Sequence, residues 1–205
     1  MVAAFTMLAA FVPGASARTI SVDENGFRAA WAGLEFQSES ITTIRCPVTL
    51  EGTFTGRTIV KRLDAVVGRV IRADVRGNLP ECTGGTARAN TESLPWDIIY
   101  KGFEGTLPNI TGIRVDLNRA SFEIDSLDFL IPKCNSTTSL TEPASGTISV
   151  VREAGGLLKF DRLTADPTRR IACRDPFEFN LRGNFRGEAT VARRGSTTRI
   201  LVSLI

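Results

Sequence analysis

The chain has 205 residues, 42% of them hydrophobic and 23% charged, with a formal net charge of +3 and no histidine. That apolar content excludes a disordered chain. The missing imidazole excludes Ser-His and Cys-His nucleophile systems and His-ligated zinc. Arginine outnumbers lysine, but no block of five like charges occurs, so no nucleic-acid partner is expected.

Residues Val2 to Val12 are almost wholly apolar, Pro13-Gly14 breaks the run, and Ala15-Ser16-Ala17 fits an A-x-A processing site. About eleven apolar residues are too few for a membrane-crossing helix, which needs roughly twenty. Residues 1–17 therefore read as a cleaved secretory signal peptide, and 18–205 as a single β domain. No second long apolar stretch follows, so no transmembrane segment is expected in the mature chain.

Asn25 to Gln37 is the one candidate helix, with Phe27, Ala30, Trp31 and Leu34 on one side. Strand candidates follow at Thr42 to Val60, Val66 to Arg76, and Trp96 to Phe103, the last begun by Pro95. Ile113, Val115 and Leu117 then alternate with Arg114, Asp116 and Asn118. The apolar parity next moves to Ala120, Phe122 and Ile124. A β-bulge near Asn118-Arg119 would produce that slip, with two kinked strands as the alternative.

Further strands are expected at Thr147 to Arg152 and Leu157 to Thr164, separated by the turn residues Ala154-Gly155-Gly156. Phe177, Phe179, Leu181, Phe185, Ala189 and Val191 share one parity, and polar residues fill the other. Arg193-Arg194-Gly195-Ser196 reads as a turn, and Ile200, Val202 and Leu204 as a returning final strand that closes a hairpin. The expected fold is all-β: an antiparallel β-sandwich or β-barrel of about 8–10 strands with at most one short helix.

Four cysteines allow three pairings. In a hairpin of Thr42–Val60 with Val66–Arg76, opposed residues sum to about 126, which sets Cys46 close to Cys82. In a hairpin turning at Gly155-Gly156 the sum is about 309, which sets Cys173 near Cys134. Both registers favour the disulfides Cys46–Cys82 and Cys134–Cys173. A Cys₄ metal site is disfavoured because no C-x₂-C spacing exists.

Carboxylates are the remaining acid-base candidates. Glu123 and Asp125 share a strand face near Asp128 and could form a pair for glycoside-type chemistry. The simpler reading is the wet side of an amphipathic strand. Trp96 and Tyr100 fall on one parity and are candidate ligand-binding aromatics, although core positions suit them better. Two N-x-T sequons occur, at Asn109 and Asn135, and Gly84-Gly85 reads as a turn.

The segments Cys46-Pro47-Val48-Thr49-Leu50, Cys82-Thr83-Gly84-Gly85, Leu94-Pro95-Trp96 and Gly105-Thr106-Leu107-Pro108-Asn109-Ile110-Thr111-Gly112-Ile113 carry a resemblance. Together with Cys134 and Cys173 they resemble a group of uncharacterised secreted proteins from soil actinobacteria. The resemblance implies export and disulfides, and carries over no functional residue.

The leading expectation is a secreted, non-enzymatic binding or cell-envelope-associated β module. Its ligand would be a small apolar molecule or a glycan, with no cofactor or metal. Two other readings stand beside it. A carboxylate-dependent extracellular hydrolase needs two acids meeting in a cleft. A structural or adhesive surface protein needs a large exposed apolar patch. Within the binding reading, an interior apolar cavity points to a barrel holding its ligand inside, and a solid core points to end loops or an edge.

Overall fold

A computed structural model describes residues 19–38, 41–76, 80–106, 109–127, 133–174 and 180–205. The segment 1–17 read as a signal peptide, Asp128, Phe177 and Phe179 lie outside these. The described chain is all-β and antiparallel: fifteen strands and one 3₁₀ turn at Thr91–Ser93. In chain order the strands are β1 (Thr19–Val22), β2 (Gly26–Ser38), β3 (Ile41–Phe54), β4 (Thr58–Val60) and β5 (Val66–Val75). Next come β6 (Gly85–Ala89), β7 (Trp96–Thr106), β8 (Asn109–Asn118), β9 (Ser121–Ser126) and β10 (Lys133–Thr137). The last five are β11 (Ala144–Arg152), β12 (Leu158–Ala165), β13 (Ile171–Arg174), β14 (Asn180–Arg193) and β15 (Leu201–Leu204).

Eight of them close a barrel, in the order β12-β11-β8-β7-β5-β3-β2-β14, with β14 pairing back onto β12. Closure removes the free edges that an open sheet would expose. The remaining strands form two extensions. β15, β1 and β4 continue from β12, and β13, β10, β9 and β6 continue from β14. The second extension curls back to β3. Arg45 and Thr83 exchange backbone hydrogen bonds of 3.0 and 2.9 Å there. A second, smaller ring thus shares the long strands β2, β3 and β14 with the barrel. Fifteen strands exceed the eight to ten expected for the domain: eight close the barrel, and the two extensions supply the other seven.

Bulges bend the strands where the barrel turns. β2 carries an extra residue at Ala32-Gly33 relative to both of its neighbours. Here the sequence reading is corrected: Asn25 to Gln37 is not a helix. Phe27, Ala29 and Trp31 are buried at period two, and Leu34 and Phe36 resume it beyond the bulge. The inserted residue spaces Phe27, Trp31 and Leu34 as a helix would space one face.

Two further expectations change. Asn118-Arg119 is not a bulge within one strand. β8 ends at Asn118, Arg119 takes φ 68°, and β9 starts at Ser121 with different partners, which is the two-strand alternative. The turn after Arg193 forms, with Gly195 at φ 73°. The returning strand β15 does not form a hairpin with β14, however. It pairs with β12 and β1.

Both disulfides form as the register implied: Cys46–Cys82 with Cα atoms 4.3 Å apart, and Cys134–Cys173 at 5.5 Å. The first pins the return of the small ring to β3. The second crosses within it, where Cys173 opposes Ser136. At the junction of the two rings an aromatic cluster fills the space. Phe36, Phe122 and Phe185 stand 5.4 Å apart pairwise, and Trp96 packs 5.3 Å from Phe122. The buried apolar residues of both rings form one continuous core.

Candidate functional site: an apolar cavity in the barrel

The inward positions of the barrel are not uniform. Near one end sit Phe27 and Phe54, with ring centroids 5.2 Å apart, and Phe160 a further 5.9 Å from Phe54. At the other end stand Phe122 and Phe185 of the junction cluster. Between these aromatic layers the wall carries small residues: Ala29 on β2, Ala144 and Gly146 on β11, and Ala165 on β12. Eight strands make a barrel whose interior is just filled by side chains or holds one small ligand. Here the small residues leave a cavity of about 90 Å³, lined also by Trp31, Leu50, Val70, Ile98, Val115, Ile148 and Val191. Leu117, Ala144, Ser145, Gly146, Leu163 and Ala165 are half-buried and form its mouth.

Polar groups are few. Asp116 is 7% exposed, and its Oδ1 accepts the Ser145 hydroxyl at 2.6 Å. Lys101 Nζ lies 3.7 Å from Asp116 Oδ2 and donates to Asp64 Oδ1 at 2.6 Å. The Asp64 hydrogen bond, with the charge of Asp116, raises the Lys101 pKa, so the ammonium stays protonated at neutral pH and is no general base. Trp31 is 6% exposed, and its indole Nε1 has no hydrogen-bond partner among the described residues.

The sequence-predicted residues fall elsewhere. Trp96 is fully buried, and its Nε1 donates to Ser93 Oγ at 2.8 Å. Tyr100 is buried too, which raises its pKa. Neither lines the cavity or offers a ring face to solvent. Glu123 and Asp125 lie on open surface, paired with Arg88 at 3.4 Å and Lys133 at 3.9 Å. They do not meet in a cleft, so the arrangement a glycoside-type pair requires is not formed by these two. No cluster of three metal-ligating side chains occurs among the described residues. Asn109 and Asn135, the sequon asparagines, are exposed.

A second concavity of about 170 Å³ lies on the outer face, lined by Arg28, Thr49, Glu51, Arg72 and Asp74. Glu51 sits 3.9 Å from both Arg28 and Arg72, so its charges largely answer one another, and no aromatic ring lines it.

Trp31 was missed as a cavity residue. The signal was its position just before the bulge at Gly33, opposite the second glycine, Gly187, on β14. A Cβ on Gly187 would stand 3.2 Å from the Gly33 carbonyl oxygen and 3.3 Å from Trp31 Cδ1, so the Trp31 ring edge packs closely against this glycine. Fold and site together define a closed antiparallel β-barrel with an apolar interior cavity. Comparison with protein-family models, curated proteins and solved structures gives no match.

Proposed function

We propose that this protein is a secreted binding module that takes a small apolar molecule into the barrel. The cavity carries the reading: about 90 Å³ of space with nearly all its lining apolar, reached past half-buried residues on β8, β11 and β12. Apolar cavities of this kind stay dry and admit small apolar guests. The volume limits the guest to a single small ring or a short chain. A glycan finds less support, because Trp96 and Tyr100 are buried and the outer concavity has no ring on which a sugar would stack. Two disulfides suit an oxidising extracellular compartment, and no helix among the described residues is long and apolar enough to cross a membrane.

The test is a titration with benzene, followed by NMR at the methyl groups of Val115, Ile148 and Leu163. Saturable shifts at these three, with none at the methyls of surface residues such as Ile71, are expected. Absence of saturable shifts with benzene and with smaller apolar probes would remove the reading.

A further inference from the structure

The hydrogen-bonding groups around the cavity all turn away from it. Among the described residues, those of its lining with polar side-chain atoms are Trp31, Asp116 and Ser145. Along β8 and β11 the register sets Val115 against Gly146, Asp116 against Ser145 and Leu117 against Ala144, with no bulge between them. Successive residues of a strand take opposite faces. Val115, Leu117, Ala144 and Gly146 face the cavity, so the Asp116 and Ser145 side chains belong to the outside of the barrel. There they bond to each other at 2.6 Å, and Lys101 Nζ stands 3.7 Å from the Asp116 carboxylate. Their backbones are spent as well. Asp116 lies in ladders with both β7 and β11, and the Ser145 carbonyl accepts the Asp166 N–H at 2.8 Å.

Trp31 follows the same rule. Its indole edge packs against Gly187 beside the Gly33 carbonyl, and neither glycine lines the cavity. The buried Nε1 is therefore not presented to the interior. The mouth adds nothing polar, since beside the outward Ser145 its half-buried residues are Leu117, Ala144, Gly146, Leu163 and Ala165. A guest that brings a donor or acceptor into such a site gives up its water and meets no replacement, which costs affinity.

We infer that the site selects hydrocarbons, and that it discriminates a hydrocarbon from derivatives of the same shape that carry a nitrogen or oxygen able to hydrogen-bond. This rests on the cavity-binding reading and goes further by naming the ligand class and what sets it: a wall whose every polar group is turned outward or spent.

The probes are benzene and pyridine, of one shape and differing by an acceptor nitrogen, in buffer where pyridine is uncharged. Both are titrated into the disulfide-bonded protein and followed at the methyl groups of Val115, Ile148 and Leu163. Pyridine should bind about tenfold or more weakly than benzene. Val115→Thr places one hydroxyl on the wall with little change of shape, and should narrow that ratio about tenfold by giving the nitrogen a donor. Equal affinities in the wild type would overturn the inference and leave an apolar cavity that binds. An unchanged ratio in a folded Val115→Thr that still takes benzene would overturn it too, because the lack of polar groups would not be the cause. Binding of neither probe would take down the cavity reading and this one together.

Discussion

Leu163 and Ala189 stand opposite one another across β12 and β14, and their pairing converts an open sheet into a barrel. Ala189 also faces Trp31 on its other side, in the β14–β2 ladder. One small residue thus sits at the seam and beside the cavity wall at once. Its size matters, because Ala189 is fully packed and a larger side chain would have to displace its neighbours at the seam.

A charge at this seam should be expensive. Ala189 is 1% exposed, and Ala189→Glu would place a carboxylate there without a partner. We expect a loss of about 3–5 kcal/mol in urea unfolding. A surface-like change within about 0.5 kcal/mol would mean that β12 and β14 do not pair.

The disulfides close segments of 36 and 39 residues. In the chain-entropy model each constrains the unfolded state by about 4 kcal/mol. The double variant Cys46→Ser/Cys82→Ser should lower the unfolding free energy by close to that amount, read by urea titration. Alkylation of the unreduced, denatured wild type should label no sulfur. Labelling of all four would contradict both bridges.

Filling the cavity should separate binding from folding. Ala165 lines the mouth, and Ala165→Leu occupies the space a ligand would use. Stability should rise by about 0.5–2 kcal/mol, as for cavity-filling changes generally. Benzene binding, read by the same methyl shifts, should disappear. Unchanged binding would place the guest elsewhere.

Lys61 and Lys101 should respond oppositely to pH. Lys61 Nζ is buried without a hydrogen-bond partner among the described residues, 5.7 Å from the centroid of the Phe103 ring. Burial lowers its pKa from the ordinary 10.5. The folded state therefore carries a penalty at neutral pH that fades as pH rises from the depressed value toward 10.5. Lys61→Met should stabilise the protein at neutral pH, and its advantage should shrink on raising the pH. Lys101 has a raised pKa, so its contribution is complete below the ordinary lysine value and is lost as pH climbs through the folded one. Lys101→Met should therefore destabilise at neutral pH. Urea midpoints across the alkaline range check both, and a Lys61→Met advantage that grows with pH would refute the burial argument.

Much of the fold was legible as period-two patterning, because a strand with one wet face writes its orientation into every second residue. Phe185, Ala189 and Val191 are buried as their parity implied. The cysteine pairing was legible for a related reason: register is fixed over many residues, so an approximate hairpin centre suffices to choose among three pairings. Bulges defeated the same logic. One inserted residue at Ala32-Gly33 turned two short period-two runs into an apparent helical face. Pairing partners beyond the nearest hairpin were also illegible, since nothing local to Ile200–Leu204 distinguishes β14 from β12. The cavity was hidden because it is what remains after side chains from eight strands are placed. Periodicity marks Ala29, Gly146 and Ala165 as facing inward or not, but not that they fall at one level of the barrel. Trp96 and Tyr100 drew attention as aromatics on a clear strand, while Trp31 was concealed by the helical misreading around it.

Xenon bears most directly on whether the barrel interior is a site. Crystals pressurised with xenon should show it between Trp31, Val115, Ile148 and Leu163, and Ala165→Leu crystals treated alike should not. Wild-type crystals with no xenon there, and with side chains closing the space between β2, β8, β11 and β12, would contradict the binding module proposed for this chain.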